Sequence, residues 1–196
     1  MAAPRKHTTD EILDAARALV LRDGPRKASV AAISKASGAP VGTLYHRFGS
    51  RDALVAAAWI RALKRFQQIT LAATEEHADG VERGAAMAQA SVTFAERHLD
   101  DARLLLAMRR DDLLDAAPGE DFADRLAALN APLMSAVREL ARSLLGQADA
   151  RSIDAVARAV VDLPYAAVRR HAGAAAIPSW LGDDVAAAAR TLLRAL

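Results

Sequence analysis

Apolar residues recur at steps of three and four along almost the whole 196-residue chain. Such spacing places the apolar side chains on one face of an α-helix, whereas a half-buried strand would show strict alternation. Alanine, the residue with the highest helix propensity, fills 49 positions. The pattern therefore predicts an all-α protein of about nine helices.

The composition excludes several classes of protein. With 53% apolar and 26% charged residues, the chain can bury a core and is not intrinsically disordered. It contains no cysteine, which excludes disulfide frameworks, thiolate zinc sites and cysteine nucleophiles. Its apolar runs are short and interrupted by charged residues, so we expect no membrane-spanning segment and a cytoplasmic protein.

The charge is unevenly distributed along the chain. Residues 1–60 carry nine Lys and Arg against five Asp and Glu, a net of +4, whereas residues 61–196 carry 17 against 19, a net of −2. A basic beginning followed by a mildly acidic remainder favours a nucleic-acid-binding module at the N-terminus.

Two short helices joined by a tight turn are predicted within residues 29–48. Ser29 is suited to cap the first helix, and Gly38 can supply the positive φ of the turn. The second helix is expected to begin at Pro40 or Val41. The apolar positions that would face inward are Val30, Ile33, Ala36, Leu44 and Phe48. This arrangement is typical of a helix-turn-helix, whose second helix enters the major groove of DNA.

The remaining helices frame this motif. Thr8 and Glu11 form a capping-box pattern that predicts the start of the first helix. A break is predicted at Gly49-Ser50, and Ser50 is suited to cap the long fourth helix that follows. Later breaks are predicted at Gly80, Pro118-Gly119, Gly146 and Gly173 to Pro178. Pro132 and Pro164 lie inside helical patterns and predict kinks there. The seam near Ser50 predicts a DNA-binding domain of residues 1–50 and a larger domain of residues 51–196.

The N-terminal quarter also carries a family pattern. It contains Thr9-x-x-Ile12-Leu13-x-Ala15-Ala16, Gly24, Ser29-Val30-x-x-Ile33-x-x-Ala36-x-Gly38, Gly42-Thr43-Leu44-Tyr45-x-x-Phe48 and Arg51-x-x-Leu54. This pattern resembles the N-terminal signature of the tetracycline-repressor (TetR) family. The resemblance implies a helical homodimer whose N-terminal domains bind a pseudo-palindromic operator. It also implies a C-terminal domain that dimerises and usually holds a small-molecule inducer.

The resemblance further implies which residues meet the duplex. The positions that would contact phosphates are Ser29, Thr43, Tyr45 and His46. Those that would lie at base edges are Pro40, Val41 and Gly42, and Arg47 is placed to reach either backbone or base. Arg51 opens the fourth helix, so its backbone N–H and the helix dipole would face a phosphate. With Pro, Val and Gly at the groove, we expect contacts to thymine methyl groups and readout of DNA shape.

A ligand pocket is predicted among the fourth to seventh helices, with Tyr165 at its rim. Pocket walls are mostly apolar with a few polar anchors, and Asn130 is the best candidate anchor because an unpaired buried amide is costly. The candidate lining residues are Trp59, Phe66, Met87, Ser91, Phe94, Met108, Asn130, Met134 and Tyr165. Plain core packing is the alternative interpretation of each.

A dimer interface is predicted on the last two long helices, whose small residues allow close approach in a four-helix bundle with a second copy. The candidate residues are Ala157, Val160, Val168, Ala188, Ala189 and Leu192. The alternative is that alanine is simply frequent throughout this chain.

Three functions remain open from the sequence. The first is a DNA-binding repressor released by a small molecule, and the second is a ligand-independent or architectural DNA-binding dimer with a filled core. The third is a helical enzyme in which residues 29–48 form a structural turn. No catalytic motif or phosphate-binding loop is present, and no two histidines have the helical spacing of metal ligands. We therefore favour a regulator and expect no catalytic residue, cofactor, metal or membrane partner.

Overall fold

The computed structural model describes residues 7–108 and 122–196, whose regular secondary structure is entirely helical. The helices are α1 (Thr9–Asp23), α2 (Val30–Ser37), α3 (Val41–Phe48), α4 (Arg51–Glu75), α5 (Gly80–Arg97), α6 (Leu99–Ala107), α7 (Phe122–Leu145), α8 (Ala150–Ala157), α9 (Leu163–His171) and α10 (Leu181–Arg194). The all-α prediction is confirmed for these residues. The predicted break at Pro118-Gly119 lies outside them.

The described residues pack as two compact units. The first comprises those of Met1–Leu63 and Arg103–Leu126, and the second those of Lys64–Ala102 and Ala127–Leu196. The helices α4, α6 and α7 contribute residues to both units. The functional division at residue 50 stays a prediction, since the N-terminal half of α4 packs with the first unit.

The first unit is built on apolar residues of α1 to α4 that are almost completely buried, among them Ile12, Ile33, Leu44 and Leu54. The predicted capping box at α1 is present. The Thr8 hydroxyl accepts a hydrogen bond from the Glu11 backbone N–H at 3.2 Å, and the Glu11 carboxylate accepts one from the Thr8 N–H at 2.7 Å. This bond lowers the pKa of the Glu11 carboxyl.

The predicted inward stripe of the helix-turn-helix is wrong at Ala36, which is exposed, and Phe48 is only half-buried. The physical reason is the turn that follows α2. Gly38 adopts a left-handed φ of 71°, and the chain then carries Ala39 into the core with no exposed surface. Only glycine adopts this conformation without steric cost.

The second unit has its core where α5 packs against α9 and α10. Its buried cluster includes Met87 of α5, Val137 and Leu140 of α7 and Val160 near α9. Gly84 lies at the closest approach, since a Cβ atom there would stand 2.4 Å from Leu193 Cδ1. The small residue is therefore needed for this packing.

The helical segment between the predicted breaks at Gly146 and Gly173 contains a π turn at Arg158–Asp162, between α8 and α9. The Leu163 N–H donates to the carbonyl of Arg158, five residues earlier. Pro164 follows at once; it has no N–H to donate, and its ring crowds the carbonyl four residues before it. The wider π turn is the structural response to the proline for which the sequence predicted a kink.

Among the described helices, none combines the length and the apolar content that crossing a membrane requires.

Candidate nucleic-acid interface

The turn between α2 and α3 is fixed by short-range hydrogen bonds. Ser29 caps α2 through its hydroxyl, which accepts from the Ala32 N–H at 3.2 Å. At the other end, the Ser34 hydroxyl donates to the Ala39 carbonyl at 2.7 Å, and the Ser37 hydroxyl accepts from the Ala39 N–H at 3.3 Å. The sequence predicted the Ser29 cap but missed the two serines that bind Ala39. Together they hold α3 at a defined angle to α2.

The helix α3 has one anchored face and one free face. Leu44 is 1% exposed, whereas its neighbour Tyr45 is 51% exposed and Val41 is 42% exposed. His46 is also exposed, as are Ser29, Pro40 and Gly42, and Thr43 is half-buried. The residues predicted to meet DNA therefore lie mainly at the surface. A single buried leucine sets the rotation of α3 that presents them.

An open groove of about 410 Å³ runs along this surface and is lined by Gly42, Thr43, His46 and Arg47. Gly42 leaves open space, because a Cβ atom there would meet nothing within 4 Å. Pro40 precedes α3 and provides no side-chain cap; its carbonyl instead accepts from the N–H groups of Thr43 and Leu44. The structure thus brings four predicted residues together around one depression.

Arg51 is held by the protein at the start of α4. Its Nε donates to the Ala28 carbonyl at 3.1 Å, and its Nη1 pairs with Asp52. Ser50 caps α4 by accepting from the Ala53 N–H at 3.1 Å, as the sequence predicted. The Arg51 side chain is thus bound to the segment before α2. Its backbone N–H stays the group that is predicted to face a phosphate. Neither Arg51 Nη2 nor Arg47 Nη1, both buried, has a hydrogen-bond partner among the described residues.

The predicted pocket residues fall into separate pairs. In the first unit, the buried Trp59 indole donates to the carbonyl of the buried Met108 at 3.1 Å. In the second unit, the rings of Phe66 and Phe94 meet edge to face with their centroids 5.4 Å apart.

The polar candidates of the second unit already have partners. The Asn130 Oδ1 accepts from Gln67 Nε2 at 3.0 Å, a partner that the sequence analysis missed. Ser91 is buried and its hydroxyl donates to the carbonyl of the buried Met87 at 3.3 Å. Asn130 is half-buried, and its carbonyl oxygen is thus paired with the buried Gln67 amide.

Two predicted pocket residues lie at the surface of the second unit. Tyr165 is 49% exposed, compatible with a rim position, and Met134 is 38% exposed. Met134 is thus exposed on α7, and its place in a ligand pocket stays a prediction. Its neighbour Leu133 packs on the core cluster, and one residue further along a helix turns the side chain by roughly 100°.

Three of the six predicted dimer-interface residues are wrong as interface residues. Val160, Val168 and Ala189 are buried inside the protomer, so they cannot offer surface to a second copy. They occupy the faces that pack within the second unit, where α5 contacts the helices that carry them. Ala157 and Ala188 are half-buried. Of the six, only Leu192 is a large exposed side chain, at 46%.

In the part of the chain that the structure describes, no group of three or more histidine and acidic side chains is arranged to hold a metal ion.

Comparison with known proteins gives a consistent result. Residues 12–58 match the sequence model of the bacterial regulatory proteins of the tetR family. No curated protein sequence matches the chain.

Solved structures share the fold over nearly the whole length. A TetR-like transcriptional regulator from Rhodococcus sp. RHA1 is 21% identical with a TM-score of 0.73, covering 98% of this chain and 97% of its own. The fatty acid degradation regulator FadR from Bacillus halodurans is 18% identical with a TM-score of 0.71, covering 96% and 100%. FadR from Bacillus subtilis, solved in complex with stearoyl-CoA, is 14% identical with a TM-score of 0.68, covering 95% and 96%.

The matched segment contains α2, α3 and the start of α4. These helices carry the exposed residues and the groove that are described above. The match thus assigns residues 12–58 to the helix-turn-helix segment of the tetR family of bacterial regulatory proteins, and the solved structures show that the described chain shares their fold.

Proposed function

We propose that the protein is a homodimeric, cytoplasmic repressor that binds a pseudo-palindromic operator and leaves it when a small molecule binds. The observation that carries the proposal is the contrast between Leu44 and Tyr45 on α3. Leu44 anchors the helix, while Tyr45, rotated by about 100° from it, and Val41 are exposed. An exposed helix face over a rigid turn is what insertion into a major groove requires.

Each recognition surface combines phosphate contacts with a mostly apolar base-reading edge. Ser29, Thr43, Tyr45 and His46 hold the phosphate backbone, and the α4 N-terminus at Arg51 adds its N–H groups. Val41 is exposed at the start of α3 and is suited to a thymine methyl group. Arg47 lines the same groove as Thr43 and supplies the remaining donor. Sequence preference then depends strongly on DNA shape.

A second copy of the chain is proposed to pack on the exposed side of α9 and α10. Val161 and Tyr165, one turn apart, are 39% and 49% exposed, and Leu192 is 46% exposed. Half-buried Ala188 lies one turn before Leu192 and permits close helix approach. A twofold dimer would place its two recognition helices about 34–36 Å apart, one turn of DNA.

The ligand is proposed to act through α4. This helix starts at Arg51, beside the recognition surface, and ends at Glu75 in the second unit. A ligand that favours one tilt of α4 shifts operator affinity by its differential binding energy, typically about 1–3 kcal/mol. The FadR structure with stearoyl-CoA supports a small-molecule effector in a protein of this fold.

A ligand-independent DNA-binding dimer is the second candidate. Its support is that the Trp59 indole N–H and the Ser91 hydroxyl are already bonded to backbone carbonyls. Those two groups offer a ligand little without rearrangement. Operator binding that no effector alters would favour this candidate.

DNA binding is tested on the DNA that flanks the coding region. Purified protein should protect an inverted repeat there from nuclease. Tyr45→Ala and Thr43→Ala should each weaken this binding at least about tenfold without lowering the melting temperature, because each removes a phosphate contact and no core packing. Thr191→Ala, in the last helix, is the matched control and should bind as the wild type. Unchanged affinity in both variants would overturn the recognition surface.

Dimerisation is tested by comparing two single substitutions, one in the proposed dimer interface and one on the proposed DNA surface. Leu192→Glu should give monomers in sedimentation experiments, since a carboxylate would be buried at the proposed interface. Val41→Glu should leave the dimer intact and abolish DNA binding, because its charge would face the phosphates. A Leu192→Glu protein that stays dimeric would place the interface elsewhere.

A further inference from the structure

Arg61 connects the first half of α4 to α1 by several hydrogen bonds. Its Nη1 donates to the Asp10 carboxylate at 2.9 Å and to the Asp10 carbonyl at 3.2 Å, and its Nη2 donates to the Asp14 carboxylate. These partners lie 51 and 47 residues earlier in the chain. The Arg61 side chain is only 15% exposed, whereas both aspartates are exposed. These three residues form the Arg61 clamp.

The geometry of the Arg61 clamp indicates positioning rather than stabilisation. Asp10 and Asp14 are four residues apart and share one face of α1, so the planar guanidinium of Arg61 meets two successive turns of that helix. Bonds to both turns restrict the rotation of α1 as well as its distance from α4. Ion pairs with exposed carboxylates contribute little to the free energy of unfolding. The main consequence of the clamp is therefore the orientation of α1 on α4.

The N-terminal end of α4 has a second connection. Arg51 Nε donates to the Ala28 carbonyl, in the segment before α2, at 3.1 Å. Arg51 and Arg61 are about 15 Å apart along the helix at 1.5 Å per residue. Between them, Leu54 and Ala58 are buried in the first unit. We therefore expect α1, α2, α3 and residues 51–61 of α4 to move as one body.

The next arginine along α4 belongs to the second unit. Arg65, one helical turn after Arg61, pairs with the almost fully buried Asp101 of α6. The part of α4 that belongs to the first unit ends between these two arginines, at Leu63. The attachments of α4 thus change from one unit to the other within one turn. The Arg61 clamp lies at the end of the part that packs with the helix-turn-helix.

We propose that the Arg61 clamp fixes the distance between the two recognition helices of the dimer, so that Arg61 is a positioning residue for operators of one half-site spacing. The inference rests on the proposed homodimer and assigns its spacing preference to particular side chains. One added base pair moves a half-site by about 3.4 Å and turns it by about 34°. A helix-turn-helix held in one orientation on α4 cannot follow both changes, whereas one that rotates on α4 can follow part of them.

The first experiment compares three DNA duplexes. They carry the inverted repeat that the protein protects, the same repeat with one base pair inserted at its centre, and the same repeat with one base pair removed there. Fluorescence anisotropy at one salt concentration gives the three dissociation constants. Wild-type protein should bind the two altered duplexes at least about a hundredfold more weakly, because it can engage only one half-site at a time.

Loss of the clamp should relax this discrimination. Arg61→Met keeps an unbranched side chain and removes the guanidinium. It should bind the altered duplexes no more than about tenfold more weakly than the original, since the loosened helices can reach both half-sites. Asp10→Asn together with Asp14→Asn removes the same clamp from α1 and should give the same small ratio. Arg22→Met is the matched control and should discriminate as the wild type, because Arg22 pairs with its neighbour Asp23.

The ratio of dissociation constants separates positioning from stability. An unfolded fraction of protein weakens the apparent binding of all three duplexes by the same factor and leaves the ratio unchanged. Arg61→Lys keeps the charge, but a single ammonium group cannot bond in one plane to two turns of α1. Its ratio should therefore lie between those of the wild type and Arg61→Met.

The second experiment needs no DNA. The chain contains no cysteine, so Lys35→Cys, at an exposed position of α2, gives each protomer one site for a spin label. Pulsed electron paramagnetic resonance should show one narrow distribution of distances between the two labels of the dimer. Adding Arg61→Met should widen the distribution, because the helix-turn-helix would rotate on α4. Adding Arg22→Met should leave its width unchanged.

The two proposals fail separately. A dimer that protects an inverted repeat, yet tolerates altered spacing as wild type or still discriminates as Arg61→Met, retains the regulator and overturns the clamp. An unchanged label distribution in Arg61→Met also overturns the clamp, whether or not an operator is found. A labelled protein that is monomeric overturns the homodimer and the spacing role together.

Discussion

The recognition helices and the interior of the second unit place their polar groups in opposite ways. Around α2 and α3, the serine side chains bond to backbone groups within five residues, as Ser34 does with Ala39. In the second unit, Gln67 bonds to Asn130 from 63 residues away, and the almost fully buried Asp101 pairs with Arg65 of another helix. The turn that positions the proposed DNA surface thus depends on neighbours along the chain, whereas the interior of the second unit depends on long-range packing.

The sharpest way to break this comparison is to change two neighbours on α3. Leu44→Ala should lower the free energy of unfolding by about 2–5 kcal/mol, because it removes the one fully buried side chain of that helix. Tyr45→Ala should change it by no more than about 0.5 kcal/mol, since Tyr45 is largely exposed. Urea unfolding curves measure both. Equal losses would show that Tyr45 is part of the core and would remove it from the recognition surface.

Two glycines extend the comparison to backbone packing. Gly84→Ala should destabilise the second unit by about 1–3 kcal/mol, because its methyl group would displace the buried Leu193 side chain. Gly42→Ala should stabilise the protein by up to about 1 kcal/mol, since alanine has the higher helix propensity and the added methyl meets open space. Thermal unfolding separates the two. A stable Gly84→Ala protein would mean that Leu193 has another rotamer available.

The cap of α2 gives a smaller effect. Ser29→Ala should cost about 1 kcal/mol, because it removes the acceptor for the Ala32 N–H. The same change should weaken operator binding, since the hydroxyl is also a proposed phosphate contact. Ser143→Ala, at an exposed position of α7, is the control and should alter neither stability nor DNA binding. A stability loss without any loss of DNA binding would limit Ser29 to a structural role.

The same contrast explains what the sequence could predict. Caps at Thr8, Ser29 and Ser50 and the turn at Gly38 depend on neighbours along the chain, and the structure confirms all four. The helical spacing of the apolar residues on α3 correctly separated Leu44 from Tyr45.

Long-range features escaped prediction for a physical reason. Val160 and Leu192 are both apolar residues of the last two long helices, yet one is buried by α5 and the other is exposed. Periodicity gives the faces of a helix but does not say which neighbour covers each face. The Gln67–Asn130 pair likewise depends on how α4 and α7 meet. No spacing within either helix signals it.

The smallest predicted effect concerns two exposed acidic groups, one in each unit. The Ser152 N–H donates to the Asp149 carboxylate at 2.8 Å, and the Thr8 N–H donates to Glu11 at 2.7 Å. These bonds lower the pKa of both carboxyls in the folded protein. Their stabilisation is therefore fully present above the unfolded pKa values of about 4 and is lost as the pH falls through the lower folded values.

Asp149→Asn and Glu11→Gln should thus melt slightly below the wild type at pH 7 and together with it near pH 2. The two differences should be similar in size, because both carboxylates lie at the surface and accept from the backbone at a helix start. Melting temperatures recorded across this pH range measure the effect. A difference that persists unchanged at pH 2 would show that the substituted side chains alter packing rather than charge. A much larger melting-temperature difference for one variant would show that the two helix caps do not stabilise their units equally.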